Sequence, residues 1–332
     1  MTKGVSSMWA STSISVIIFA FASLIASSQN FVMAQQAPPA LKTHRLNFPG
    51  NLHNRNSVAF SPDGKSLATA GDDNHIRLWD VATGKPTFAF KAHDAPSGIA
   101  RVAFFPGGKK LASGGWAWEG TARLWDLNGK LLQRVGEDKG GLAVLAVSPN
   151  GKLLAWGNGG KIHLFDVNAG QDARLLRMDA AVDSVAFSPD GKLLATPAGG
   201  IVRLWEVDSG KAVRDLPALG CSATGCQAVA FSPDGKTLAV ANKKVELWDV
   251  ATGKQNAILG LPDENVFCIA ISPNGRLLAV GTFGGTLRLW DMTTLKQVRV
   301  WNERATSVVF SRDSNWLAFG SSGGATLAEI ER

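Results

Sequence analysis

Ser57-Val58-Ala59-Phe60-Ser61-Pro62-Asp63-Gly64-Lys65 runs into Leu67-Ala68-Thr69-Ala70-Gly71, then Ile76-Arg77-Leu78-Trp79-Asp80, then Ala82-Thr83-Gly84-Lys85. The chain writes this sentence seven times. Its Ser-Pro-Asp-Gly position recurs at Ser61, Phe105, Ser148, Ser188, Ser232, Ser272 and Ser311, at intervals of 39 to 44 residues. A period near forty that closes on Trp-Asp marks a radial repeat array.

Each unit contains four strand signals. Val58 to Phe60 is short and apolar, as a strand buried on both faces should be. Ser61-Pro62-Asp63-Gly64 is a tight turn: Pro presets φ at its second position, and Asp and Gly accept the bends that follow. Leu67 to Ala70 is the second strand. Ile76 to Trp79 is the third and alternates, so Ile76 and Leu78 face one way and Arg77 and Trp79 the other. The turn at Ala82-Thr83-Gly84 leads to an outer strand, Thr87 to Phe90. No sustained helical period appears in the repeats. The fold class is all-β: a seven-bladed β-propeller of four-stranded antiparallel blades.

These residues resemble the WD-repeat family over residues 41–332. The terminal dipeptide stands as Trp79-Asp80, Trp125-Asp126, Trp248-Asp249 and Trp290-Asp291. It softens to Phe165-Asp166 and Trp205-Glu206, and the seventh copy degrades to Ala328-Glu329. The resemblance implies a ring closed by the N-terminal segment, so Leu41 to Phe48 is expected to complete blade seven and cover an edge that would otherwise stay open. It also implies a hydrogen-bonded His, Ser/Thr, Asp and Trp set in each blade. Blade one offers Thr69, Asp73 and Trp79 with His53. Blade two offers Ser113 and Trp125 with His93, and Glu119 stands where Asp is usual. Trp156, Val240, Val280 and Phe319 replace the Ser/Thr in other blades, which are expected to rely on apolar packing.

The leader sets the expected address. Residues 1–34 carry one charge, Lys3, then an apolar run from Ile14 to Ala26, and end in Val32-Met33-Ala34. That is the pattern of a secretory signal cleaved after Ala34; the run is short of the roughly twenty apolar residues of a membrane span. An uncleaved N-terminal anchor is the alternative. Residues 35–40 read as a linker. The regularity of the repeats resembles exported bacterial members of the family, and the expected setting is the periplasm or the cell surface.

Cys221 and Cys226 flank a short loop and are expected to pair in an oxidising compartment. Cys268 replaces Ser57 in the inner strand and reads as a buried free thiol. Two Cys without a nearby His do not make a zinc site, and neither a metal nor a cofactor is expected. The net charge of +7 is largely built into the repeat, because Lys65, Lys109, Lys152, Lys192, Lys236 and Arg276 follow the first turn of successive blades. That ring is either a solvated feature of the turns or a surface for an anionic partner; nucleic acid recognition is not indicated.

Catalytic signatures fail. Gly64-Lys65-Ser66 and Gly235-Lys236-Thr237 imitate a phosphate loop but have Ala59 and Ala230 where its first Gly belongs, and both lie between strands. One loop departs from the repeat: Gly114-Gly115-Trp116-Ala117-Trp118-Glu119-Gly120, beside the lengthened segment from His93 and Asp94 to Gly98. Trp116 and Trp118 either fold onto the blade or form a binding platform. The expected function is a monomeric, non-enzymatic, exported scaffold that binds a protein through Trp116, Trp118, Glu119, His93 and Asp94. The rival is a small-molecule or glycan site at the channel mouth.

Overall fold

The computed structural model describes residues 42–47, 56–94, 98–115, 120–136, 144–218, 228–241, 243–261, 265–321 and 323–330. The leader, the linker, Cys221, Cys226, His53, Trp116, Trp118 and Glu119 lie outside them. Twenty-eight strands form seven four-stranded antiparallel sheets. Six blades take their strands consecutively, over 57–91, 99–135, 144–177, 186–216, 228–259 and 266–301. Among the described residues no helix is long and apolar enough to cross a membrane.

Strand alternation decides which neighbour each side chain meets. In blade one, Ile76 and Leu78 pack against Leu111 and Trp125 of blade two. Trp79, on the opposite face, packs with Leu67, Leu46 and Leu327, on the side of blade seven. Every blade is thus a layer buried on both faces. The second strand is small enough to fit between them: Leu67, Ala68 and Ala70 are fully buried. Burying one Leu completely contributes about 1.5–3 kcal/mol.

Blade seven is built from both ends of the chain. Its strands Ser307–Phe310, Trp316–Ser321 and Gly324–Glu329 are completed by Thr43–Asn47. The pairing runs from Thr43 opposite Ala328 to Asn47 opposite Gly324. Leu46 enters the core between blades seven and one with no exposure. The expected closing strand is therefore present, although Leu41 and Phe48 lie outside the described residues.

The closing strand also explains a repeated irregularity. In the other six blades, the register of the third and outer strands shifts just before the Trp position, at Leu78/Trp79, Leu124/Trp125, Leu164/Phe165, Leu204/Trp205, Leu247/Trp248 and Leu289/Trp290. Blade seven shows no such shift. Its third and outer strands are not joined by a turn, so no extra residue has to be absorbed there.

Candidate functional site

The strand order sorts the connections onto two faces. One face, the turn face, carries the turn after each first strand and the turn after each third strand. The other, the loop face, carries the links between second and third strands and the links between blades.

On the turn face the polar side chains satisfy one another. The hydroxyls of Ser61, Ser188, Ser232 and Ser311 donate to Asp63, Asp190, Asp234 and Asp313 two residues on. Ser148 and Ser272 do the same with Asn150 and Asn274. The acceptor also takes the backbone N–H two residues further, as Asp63 takes that of Lys65 at 3.1 Å. The Ser61 hydroxyl and then that N–H hold the Asp63 carboxyl below the usual carboxylate range, because both bonds favour the charged form. The Asp of Trp-Asp closes the second turn: Asp80 accepts from the hydroxyl and N–H of Thr83 at 2.6 and 2.9 Å. The lysines that follow the turns extend exposed into solvent.

Within the blades, the expected hydrogen-bonded sets are only partly assembled. Trp79 donates to Thr69 at 2.9 Å, but Asp73 does not join them: its carboxylate pairs with Arg77 at 2.5 Å. In blade two, Trp125 donates to Ser113 at 2.8 Å. Thr196 supplies a third set, accepting from Trp205 at 2.7 Å. Its register matches Thr69, a signal the sequence carried. In blade five, Trp248 instead donates to Glu246 at 3.2 Å. Among the described residues, the buried indole nitrogens of Trp156 and Trp290 find no hydrogen-bond partner. Trp156 stacks on His163 at 4.4 Å, and the His163 ring meets the Asp172 carboxylate at 2.6 Å.

Of the residues expected to bind, His93 and Asp94 are described; both lie on the loop face, and the structure divides them. His93 is fully buried. Its ring meets the Ser113 hydroxyl at 2.7 Å and lies edge-on to Trp125. It therefore serves the blade rather than the surface, a correction to its place among the binding residues. Asp94, its neighbour, points outward: its side chain is 72% exposed and lies 3.3 Å from Lys91 and 3.7 Å from Arg123. Lys91, then Arg123, holds the Asp94 carboxyl below the usual range.

The structure adds a cluster that the sequence did not suggest. Phe267 and Phe283 lie 4.7 Å apart at the loop-face end of blade six, and Arg304 lies over both rings. Below them is a channel cavity of about 140 Å³, lined by Phe267, Ser57, Ser184 and Ser307 and by Arg101 and Cys268. Cys268 is a free thiol whose Sγ lies 3.5 Å from the Ala305 carbonyl oxygen. Burial pushes that thiol up to about 12, so it stays protonated at neutral pH and is a poor nucleophile. Among the described residues no group of three His, Cys, Asp or Glu side chains is placed to hold a metal ion.

Comparison with known proteins agrees with this architecture. The family model described as "WD domain, G-beta repeat" matches residues 43–80, 84–126, 175–206, 216–249 and 253–291. The Periodic tryptophan protein 2 homolog of Dictyostelium discoideum is 30% identical over 39% of this chain and 14% of its own length. The Target of rapamycin complex subunit wat1 of Schizosaccharomyces pombe is 33% identical over 34% of this chain and 35% of its own. The Protein LST8 homolog of Drosophila melanogaster is 29% identical over 39% and 41%. The chain thus spans less than half the length of each of these relatives, all of them eukaryotic. It belongs to the WD-repeat family.

Proposed function

We propose that this WD-repeat chain is a non-enzymatic interaction scaffold, exported from the cytoplasm, which holds a protein partner on its loop face. The observation that carries this reading is the contrast between the faces. Turn-face Ser, Thr, Asn and Asp side chains are spent closing their own turns, whereas loop-face connections differ from blade to blade and leave Asp94, Phe283 and Arg304 exposed. Recognition in a rigid scaffold falls to such loops. One relative is by name a subunit of a complex, and a partner-holding role suits a ring of this kind.

The binding surface we assign comprises Trp116, Trp118 and Glu119 with Asp94 at its border. The loop that carries the two Trp residues departs most from the repeat, and Trp is enriched where binding energy concentrates. Export is supported by Lys3, the apolar run and Val32-Met33-Ala34. The likeness to exported bacterial members rests on that leader and on the repeat regularity. The turn lysines are a secondary surface for an anionic partner. A small-molecule or glycan site would need several ionisable groups converging on the channel; among the described residues lining its cavity, only Arg101 and Cys268 are ionisable.

Two experiments test the reading. N-terminal sequencing of the mature chain should find Gln35, and a start at Met1 in a membrane fraction would favour an anchor. A photo-cross-linker at position 94 should capture a partner in the native cell extract, and one at position 190 on the turn face should not. Capture at 190 alone would overturn the loop-face assignment.

A further inference from the structure

We propose that Phe267, Phe283 and Arg304 form a docking site for a peptide segment that carries a carboxylate beside an apolar side chain. The inference deepens the scaffold reading and rests on it, but it concerns a different part of the loop face from the Trp loop.

The three residues come from three separate segments of backbone. Phe267 is the extra residue of a bulge in the inner strand, where the register shifts between Val266 and Cys268. Bulges re-aim side chains, and this one sets the Phe267 ring at the channel cavity. Phe283 follows the second strand, and its N–H donates to the Asn265 carbonyl at 2.8 Å. Arg304 lies in the link from blade six to blade seven. Its Cζ is 5.9 Å from the Phe267 ring centre and 5.8 Å from that of Phe283.

Two features separate this cluster from ordinary packing. Phe283 remains 43% exposed, so a large apolar ring faces solvent where a partner could cover it. Arg304 is exposed, and among the described residues it forms no ion pair or hydrogen bond. Its neighbour Glu303 is not ion-paired with it; the Glu303 carboxylate accepts from the Thr326 hydroxyl at 3.3 Å. An Arg that lies over aromatic faces keeps the N–H groups on its guanidinium edge for a planar acceptor. A carboxylate fits that fork with two parallel bonds. The exposed ring beside it takes an aliphatic or aromatic side chain of the same segment.

Nucleic acid fits less well. A strand needs a row of cations along its backbone, whereas among the described residues of this cluster Arg304 stands next to Glu303. Among the described residues lining the cavity beneath, none is an acid.

The test uses the full chain and three fluorescein-labelled heptapeptides in an anisotropy titration. Each has a central Phe, flanked by Glu in the first, Gln in the second and Lys in the third. The Glu peptide should bind about tenfold more tightly than the Gln peptide, the scale of a charge-assisted pair. Phe283→Ala and Arg304→Ala should each erase most of that binding with an unchanged melting temperature, and Arg304→Glu should turn the preference toward the Lys peptide. Arg304→Lys, which keeps charge without the planar fork, should fall between wild type and Arg304→Ala. Equal binding of the three peptides, no binding of the Glu peptide, or wild-type affinity in both alanine variants would overturn the site. Tighter binding of an oligothymidine would assign it to nucleic acid instead. If these peptides fail while position 94 still cross-links a partner, this site falls and the scaffold reading stands. If position 94 fails while the peptides bind, the Trp-loop surface falls and this site stands.

Discussion

The two faces of the ring obey different rules. On the turn face one geometry recurs even where the residues that suit it are missing. Blade two has Phe105 in place of the turn Ser, yet Gly108 still donates to the Phe105 carbonyl at 2.8 Å, as Gly64 does to Ser61. Blade six puts Leu295 where other blades put Gly. Its N–H donates to Asp291 at 2.8 Å like Gly84 to Asp80, although its φ of 55° is unfavourable for a side chain. The loop face has no such template: His93 is drawn into the blade, Asp94 is turned out, and Phe283 is left uncovered. The difference teaches where to look for recognition. Residues held in a repeated hydrogen-bond pattern are committed, and residues outside it are available.

The division should break first at the seam, where a residue near the loop face is wholly structural. Asn56 is buried, and its side chain donates to the Ser321 and Gly324 carbonyls at 2.5 and 2.8 Å. Its backbone N–H and C=O bond to Thr306 and Ser307. Asn56→Ala strands two buried carbonyls and should cost about 3 kcal/mol in urea unfolding, from two lost buried bonds. A cost under about 0.5 kcal/mol, the size of an ordinary surface change, would show that closure rests on Thr43–Asn47 alone.

Thr196→Val tests the interior between the faces. It leaves the Trp205 N–H buried without an acceptor and should cost about 2 kcal/mol. Blades three and six already carry such an orphan in Trp156 and Trp290, so a neutral result would mean that the sets are dispensable in this ring.

Leu295→Gly sharpens the turn-face side of the comparison in the opposite direction. Removing the side chain relieves the left-handed conformation and should stabilise the protein by about 1 kcal/mol. A loss of stability would show that the exposed Leu295 packs more than its φ costs.

The smallest effect expected is in acid. The carboxyls of Asp63, Asp190 and Asp234 are held down by the Ser hydroxyls and then by backbone N–H groups. A folded-state value below the unfolded one gives stability that is present above the ordinary Asp value of about 3.9 and is lost as pH falls through the folded value. Ser232→Ala should therefore be less stable than wild type at neutral pH, with the gap narrowing as pH falls below the ordinary Asp value of about 3.9. A gap independent of pH would remove the carboxylate from the account.

Most of the fold could be read from the repeat because its cues are local. The turn residues, the alternation from Ile76 to Trp79 and the spare strand near Lys42 each lie within one stretch of chain. The sites were legible only in part. His93 was named as a binding residue because it adjoins a lengthened loop, but its partner Ser113 is twenty residues away and draws it inward. Phe283 stands in a Gly-rich loop that reads as empty of chemistry. Its meaning depends on Phe267 and Arg304, which approach only when blades six and seven pack and when a bulge turns Phe267 toward the channel.

The central claim is that the loop face recognises and the turn face supports. Its most direct test is partner affinity measured side by side for Trp116→Ala/Trp118→Ala and for Lys109→Glu/Lys152→Glu, with melting temperatures for both. Both variants should melt within about two degrees of wild type, as surface changes do. The account predicts that partner binding is lost in the Trp variant and kept in the Lys variant. Binding kept in the Trp variant and lost in the Lys variant would contradict it.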